Sequence, residues 1–384
     1  MNVDPKIQAR AKATARLAVA DCDIHPVVNS RTELYPFLDE QWQKVLETYG
    51  PMRKRGVQVG SAYPKSQRDA CRRDAWPEDG GNAGGDLGLM QRQHLDANNI
   101  TLGLLNPLGA GSDFRHPGLG TAYAHAINDW QVAKWTSKDP RLKASVVVQY
   151  SNADAAAREI ESRAHDPNFY HVLLLSRTGD PAGHQRYWPM YEAAEATGLP
   201  VGIHAFGDSG YPATPGGWPS FYFEEMFGHA ASCQGVVSSM VLEGVFERFP
   251  KLRVVIIEAG VAWMASLMWR MDKVWMKQRS EVYLCKQLPS EYIRNNIWIT
   301  TQPIEEPEPR DWLLETLDWI GWDRVCFASD YPHWDFDDPM FALPLAKLTQ
   351  EQRERYLHGN AEALYSQRAA LALKSAKDAP ALAK

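Results

Sequence analysis

The sequence predicts an α/β protein of the (β/α)8 class, a TIM barrel with loop insertions over its C-terminal face. Three observations carry this: eight short apolar, β-branched runs, helix-length segments between them, and polar residues collected at the ends of a few runs. The runs are RLAVADCD from Arg16, ITLGLLN from Ile100, LKASVVV from Leu142, HVLLLS from His171, PVGIH from Pro200, RVVIIE from Arg253, IWITT from Ile297 and RVCFASD from Arg324. They read as continuously apolar rather than alternating, as parallel strands buried on both faces do. Repeated strand–helix alternation closes into a barrel or opens into a doubly wound sheet. No GxGxxG follows the first run, which disfavours the dinucleotide-binding open sheet.

The intervening segments have helix punctuation. YWPMYEAAEATG stops at Gly198 and Pro200, and GVVSSMVLEGVFERFPKL stops at Pro250, just before the sixth run. Residues 1–368 are expected to form one barrel domain, with insertions at about 49–89 and 205–232 and a tail at 369–384. The first insertion is polar and Gly-rich and is expected to pass over the barrel mouth. The second is rich in Gly, Pro and aromatics, as loops that wall a substrate site often are. The Ala- and Lys-rich tail is assigned no function.

At 384 residues, 45% hydrophobic, 23% charged and 11% aromatic, the chain suits a globular enzyme with one large core. A formal net charge of −6 gives no basic face for nucleic acid or an anionic membrane, so the expected partner is a small-molecule substrate. No segment is long and apolar enough to span a bilayer, and the first residues lack the apolar core of a signal peptide. Cys22, Cys71, Cys233, Cys285 and Cys326 are odd in number and widely spaced, which argues for reduced thiols and a cytoplasmic location.

Active sites of such barrels sit at the C-terminal ends of the strands. There the first run ends in Asp23-Ile24-His25, the fifth in His204, the sixth in Glu258 and the eighth in Asp330. Residues i and i+2 of a strand share a face, so Asp23 and His25 can grip one ion. Each residue alone could be a cap or a satisfied core group. Four of them at the same ends of strands one, five and eight are harder to explain structurally, because buried unpaired charge is costly. Imidazoles with carboxylates and no thiolates suit one divalent ion, zinc or manganese. Glu258 is open to three roles: proton shuttle, partner to a histidine ligand, or structural ion pair. His229 and His333 are candidates for substrate or water contact, or for capping. His184 either caps the helix it precedes or faces the active end. Arg177 is the residue chosen to pair with a substrate carboxylate, since guanidinium binds carboxylate bidentately.

The motifs DIH, GLPVGIH, GVFERFPKLRVVIIEAGVAWMASLMWRMD and FASDYPHWD, with the Asn360-Ala361 pair, resemble the amidohydrolase-related family typified by aminocarboxymuconate semialdehyde decarboxylase. The resemblance spans roughly Asp21 to Tyr365 and implies a mononuclear divalent metal held by Asp23, His25, His204 and Asp330. It also implies an aromatic or unsaturated cyclic acid as substrate and a homodimer or higher homo-oligomer; Trp188 and Phe206, near strand ends, either contact such a substrate or pack. There are two departures. Asp23 stands where the decarboxylase has His, and Glu258 stands where the catalytic His after the sixth strand is expected. The second favours metal-activated hydrolysis, with Asp330, Glu258 and His229 as catalytic groups. The alternatives are non-oxidative decarboxylation at the same ligands and a non-catalytic metal- or ligand-binding barrel.

Overall fold

A computed structural model describes residues 17–51, 70–109, 111, 114–205, 212, 214 and 216–378. The eight predicted runs form eight parallel strands in the order β1 to β8. They are β1 (Val19–Ile24), β2 (Ile100–Leu105), β3 (Leu142–Val147), β4 (Phe169–Leu175), β5 (Val201–His204), β6 (Val254–Ile257), β7 (Ile297–Thr300) and β8 (Val325–Cys326). The circuit closes between its ends. Cys22 N donates to Phe327 O (3.1 Å), Asp330 N to Asp23 O (3.1 Å) and His25 N to Tyr331 O (2.8 Å).

Alternation along β6 shows how the core divides. Val254 and Ile256 join the large cluster beneath the outer helices, whereas Val255 and Ile257 join a smaller one. Successive strand residues face opposite sides, so the smaller cluster is the barrel interior. It contains Ala20, Cys22, Leu104 and Cys326 and is completed by Ala361, Leu364 and Tyr365 from the last helix, Asn360–Asp378.

Two boundaries differ from the sequence reading. The aromatic stretch placed in the second insertion is largely helix: Tyr222–Leu242 is continuous and includes His229. Its start is fixed by Glu224, whose carboxylate accepts from the backbone N–H groups of Ser220 (2.6 Å) and Phe221 (2.8 Å), satisfying donors a helix N-terminus leaves open. The last helix runs through the boundary set at residue 368. Arg368 is buried and donates to the carbonyls of Phe169 (2.9 Å), Ala164 (2.7 Å) and Asp166 (2.8 Å), binding the helix to the barrel.

The described part of the first insertion does lie over the mouth. Arg72 N donates to Pro332 O (2.9 Å), Trp334 N to Ala70 O (2.7 Å) and Val27 N to Gly84 O (2.9 Å), so it is stitched to the loops after β8 and β1. Among the described residues, no helix is long and apolar enough to cross a membrane.

Candidate metal centre and active site

Asp23, His25, His204, Glu258 and Asp330 converge at the C-terminal end of the barrel, and all are buried. His25 Nε2 lies 3.3 Å from Asp23 Oδ1, 2.7 Å from Asp330 Oδ1 and 3.8 Å from Glu258 Oε2. His204 Nε2 lies 3.4 Å from Asp23 Oδ2 and 2.6 Å from Glu258 Oε2. Two overlapping donor sets result, Asp23–His25–His204–Glu258 and His25–Glu258–Asp330–His333, each with its ligand atoms within 4.8 Å of one another. Glu258 therefore belongs with the prospective ligands rather than standing apart as a shuttle alone.

Glu258 and Asp330 share a backbone device the sequence does not announce. Both hold positive φ, 57° and 63°. Such a conformation costs a non-glycine residue about 1–3 kcal/mol and clusters at functional sites. Here it turns each chain sharply at its strand end while the carboxylate stays directed at the centre. Around them, Glu258 N donates to Thr300 Oγ1 (3.3 Å), and Gln302 Nε2 donates to Asp330 Oδ2 (3.2 Å).

A divalent cation fits the donors. Asp23 Oδ2, His25 Nε2 and Glu258 Oε2 are buried and face only the other charged groups of the cluster, with no well-aligned hydrogen bond among the described residues. Buried polar atoms ordinarily have one. His25 donates its other ring N–H, at Nδ1, to Asn106 O (2.7 Å), the outer bond that fixes a ligating tautomer.

Without a cation, protons balance the cluster. Burial would disfavour the His204 imidazolium, but Glu258 and Asp23 outweigh it and raise its pKa to about 10. His25 is likewise held well above the usual range by Asp23 and Asp330, against burial. Burial would raise Glu258, yet His204 holds it at about 2. Burial and the Glu258 charge push Asp330 well up, and burial with Asp330 pushes Asp335 to about 8. His229 and His333 are kept neutral, at about 4, mainly by burial.

Ion binding must therefore expel protons from His25 and His204. Manganese affinity, followed by titration between about pH 6 and about pH 8, should rise with pH; an affinity flat across that range would rule out protonated imidazoles in the ion-free site. The ion-free stability runs the other way. The contribution of the His204 pairing is complete below the ordinary histidine value and is lost as pH rises through about 10.

Outer groups brace the two strands that meet at the closure. Asp21 Oδ1 accepts from the backbone N–H of Asp23 (3.1 Å) and Ser329 (2.9 Å), while Oδ2 accepts from Ser329 Oγ (2.5 Å) and His94 Nε2 (2.6 Å). Sequence reasoning missed this network, and also Asn106 and His171. Asn106 ends the second run and could have been found by the strand-end rule applied there. His171 carries no such signal, because it lies inside β4.

The remaining sequence candidates separate clearly. His229 Nδ1 is 3.7 Å from Glu258 Oε1, and His333 Nδ1 is 2.5 Å from Asp330 Oδ1, so both border the centre. Arg177 is buried just after β4 and is ion-paired with Glu225 of the Tyr222–Leu242 helix. His184 is exposed and does the capping job: its Nδ1 accepts from Arg186 N (3.3 Å). Trp188 packs rather than reaching the centre, its indole donating to Gly183 O (3.0 Å) with its ring edge-on to Phe249. Phe206 lies outside the described residues. Tyr222 and Trp334 join at the mouth, with Trp334 Nε1 donating to the Tyr222 hydroxyl (2.8 Å).

An eight-stranded parallel barrel with imidazole and carboxylate donors at its C-terminal mouth defines a metal-dependent barrel enzyme. The sequence profile of the amidohydrolase family matches residues 20–367, and the chain belongs to that family. It is similar to the gamma-resorcylate decarboxylase of Polaromonas sp. (strain JS666 / ATCC BAA-500), 23% identical over 265 residues, 63% of this chain and 76% of that protein. Among solved structures it resembles 5-carboxyvanillate decarboxylase from Sphingomonas paucimobilis, with a TM-score of 0.64, 20% identity and coverage of 91% of this chain and 99% of that one. It also resembles the 5-carboxyvanillate decarboxylase of Novosphingobium aromaticivorans DSM 12444 complexed with manganese and 4-hydroxy-3-methoxy-5-nitrobenzoic acid. There the TM-score is 0.64 at 18% identity, covering 91% and 96% of the two chains.

Proposed function

We propose that this chain is a non-oxidative decarboxylase of a small aromatic acid bearing a hydroxyl next to the carboxylate. The observation that carries the reading is the placement of Asp330: a buried carboxyl between His25 and His333 at the centre of the site, its pKa pushed up in the ion-free site by burial and by Glu258. The similarity to decarboxylases of gamma-resorcylate and 5-carboxyvanillate supports it. The expected hydrolytic reading rested on Glu258 replacing a histidine after the sixth strand. That replacement does not deprive the site of a further imidazole, because His229 of the Tyr222–Leu242 helix stands beside Glu258.

Asp23, His25, His204 and Glu258, with Asp330 adjoining, would hold one divalent ion, manganese or zinc; manganese in the Novosphingobium enzyme supports the first. When bound, the ion supplies Lewis acidity and orients the substrate carboxylate with its neighbouring oxygen. Asp330 then transfers its proton to the ring carbon that carries the carboxylate. The bond from that carbon to the carboxylate breaks, its electron pair restores the aromatic ring, and carbon dioxide leaves. His333 steadies the Asp330 carboxylate so formed. Arg177, already paired with Glu225, ties the Tyr222–Leu242 helix to the end of β4. The proposal includes action as a homodimer or higher homo-oligomer, and in the cytoplasm, with which five buried, unbridged cysteines are consistent.

Incubating the manganese-loaded protein with a panel of ortho-hydroxybenzoic acids, esters and lactones in isotopic water tests the chemistry. One solvent deuterium on the product ring, with carbon dioxide release and no labelled oxygen in the aromatic product, is expected. Cleavage of an ester or lactone with labelled oxygen in the product acid would return the reading to hydrolysis. No turnover of any member by a manganese-replete protein would favour a non-catalytic barrel.

A further inference from the structure

We propose that Asn106 is the positioning residue of the metal centre, setting both arms of the Asp23–His25 pair, and that it is held in place by His171 and Tyr365 in the barrel interior. The inference rests on the metal reading above. Asn106 follows β2 directly, and every polar group it has is engaged. Its backbone N–H donates to Ile24 O (2.7 Å) and its carbonyl accepts from His25 Nδ1 (2.7 Å). Its side-chain nitrogen donates to Cys22 O (3.1 Å) and to Asp23 Oδ1 (2.8 Å). One residue thus bonds to each of four consecutive residues, the last three of β1 and His25 just past it.

The fifth bond fixes which way the amide points. A carbonyl and a carboxylate can only accept, so the NH2 of Asn106 must face Cys22 and Asp23, and its oxygen must face His171 Nε2 (2.8 Å). His171 therefore donates from Nε2. Its Nδ1 is left to accept from the Tyr365 hydroxyl at 3.0 Å. Burial, which lowers His171 to about 3, agrees with this neutral tautomer. The line Tyr365–His171–Asn106–Asp23 is buried throughout and runs from the last helix up through the barrel. Each member has one hydrogen-bonding arrangement that satisfies its neighbours. The line thereby presents Asp23 Oδ2 to the centre, facing His204 Nε2 at 3.4 Å.

Packing alone predicts a different outcome from positioning, and manganese binding separates them. Free manganese is followed by electron paramagnetic resonance on wild type, Asn106→Ala, Asp23→Ala and the double variant, with ion-free Tm measured in parallel. Outer partners of ligands typically contribute 10–100-fold to affinity. Asn106→Ala should weaken manganese binding by about that factor, and should add little once Asp23 is already Ala. Tyr365→Phe keeps the ring and serves if Asn106→Ala does not fold; it should weaken binding in the same direction by up to about tenfold. Wild-type affinity in folded Asn106→Ala, in Tyr365→Phe standing in for it, or an undiminished Asn106 effect in the Asp23→Ala background, overturns the proposal. Absence of manganese or zinc binding by wild type, or unchanged affinity in Asp23→Ala alone, would instead overturn the metal reading beneath it.

Discussion

Asp330→Asn should lower the rate of carbon dioxide release by about 10²–10⁴-fold at saturating manganese, the range a positioned general acid supplies. The substitution keeps the shape and the Gln302 contact available but removes the carboxyl whose pKa burial and Glu258 push up, and with it the proposed proton donor. Kinetics on the ortho-hydroxybenzoate panel, with bound metal measured on the same samples, provide the check. Activity should also fall as pH rises past the value at which Asp330 loses its proton, because the acid must be charged with that proton before each turnover. A full rate in Asp330→Asn with normal metal content would remove Asp330 from the chemistry.

His204→Ala carries the second large effect. His204 contacts both Asp23 and Glu258, so its loss should weaken manganese binding by more than the roughly 10–100-fold attributed to outer groups. Wild type at a manganese concentration of about 100 Kd gains about 2.7 kcal/mol of stability by mass action. The variant should show no such gain at the same concentration when thermal unfolding is followed by circular dichroism. Its ion-free form should also melt lower, since two buried carboxylates lose the imidazolium that offsets them. A variant that keeps the full manganese-dependent rise in Tm would show that the ion sits elsewhere.

The barrel was readable because parallel strands buried on both faces leave continuous apolar runs, and each of the eight starts within a few residues of its prediction. Asp23, His25, His204 and Asp330 were readable because the C-terminal strand ends are where such barrels place their active-site groups. What could not be read depends on backbone turns and on interior contacts. The place of Glu258 among the donors follows from a positive φ, which no residue-type pattern at that position signals. The Tyr222–Leu242 helix was hidden because Gly228 and a run of aromatics look like loop, while the cap that starts the helix, Glu224, acts through geometry. His171 was passed over because it opens the fourth run, where a polar residue reads as the edge of a strand until its partners after β2 and on the last helix are seen. Arg177 was legible as an arginine at the active end and was read as a partner for a substrate carboxylate; its pairing with Glu225 was not legible, since the two residues meet only through the crossover of helix onto strand.

The hydrogen bonds from Cys22, His25 and Asp330 that join the first strand to the last also have a kinetic meaning. His25 and Asp330 come from opposite ends of the chain, so contacts between them close one of the longest loops the molecule can make, and such contacts form late and slowly. A growing polypeptide that has completed β7 already carries Asp23, His25, His204 and Glu258, yet nothing yet locks the strand bearing the first two against its final neighbour. An ion held across this junction would act as a latch on the finished circuit, slowing its reopening more than it speeds its formation. Catalytic competence and resistance to unfolding would then be acquired in the same event.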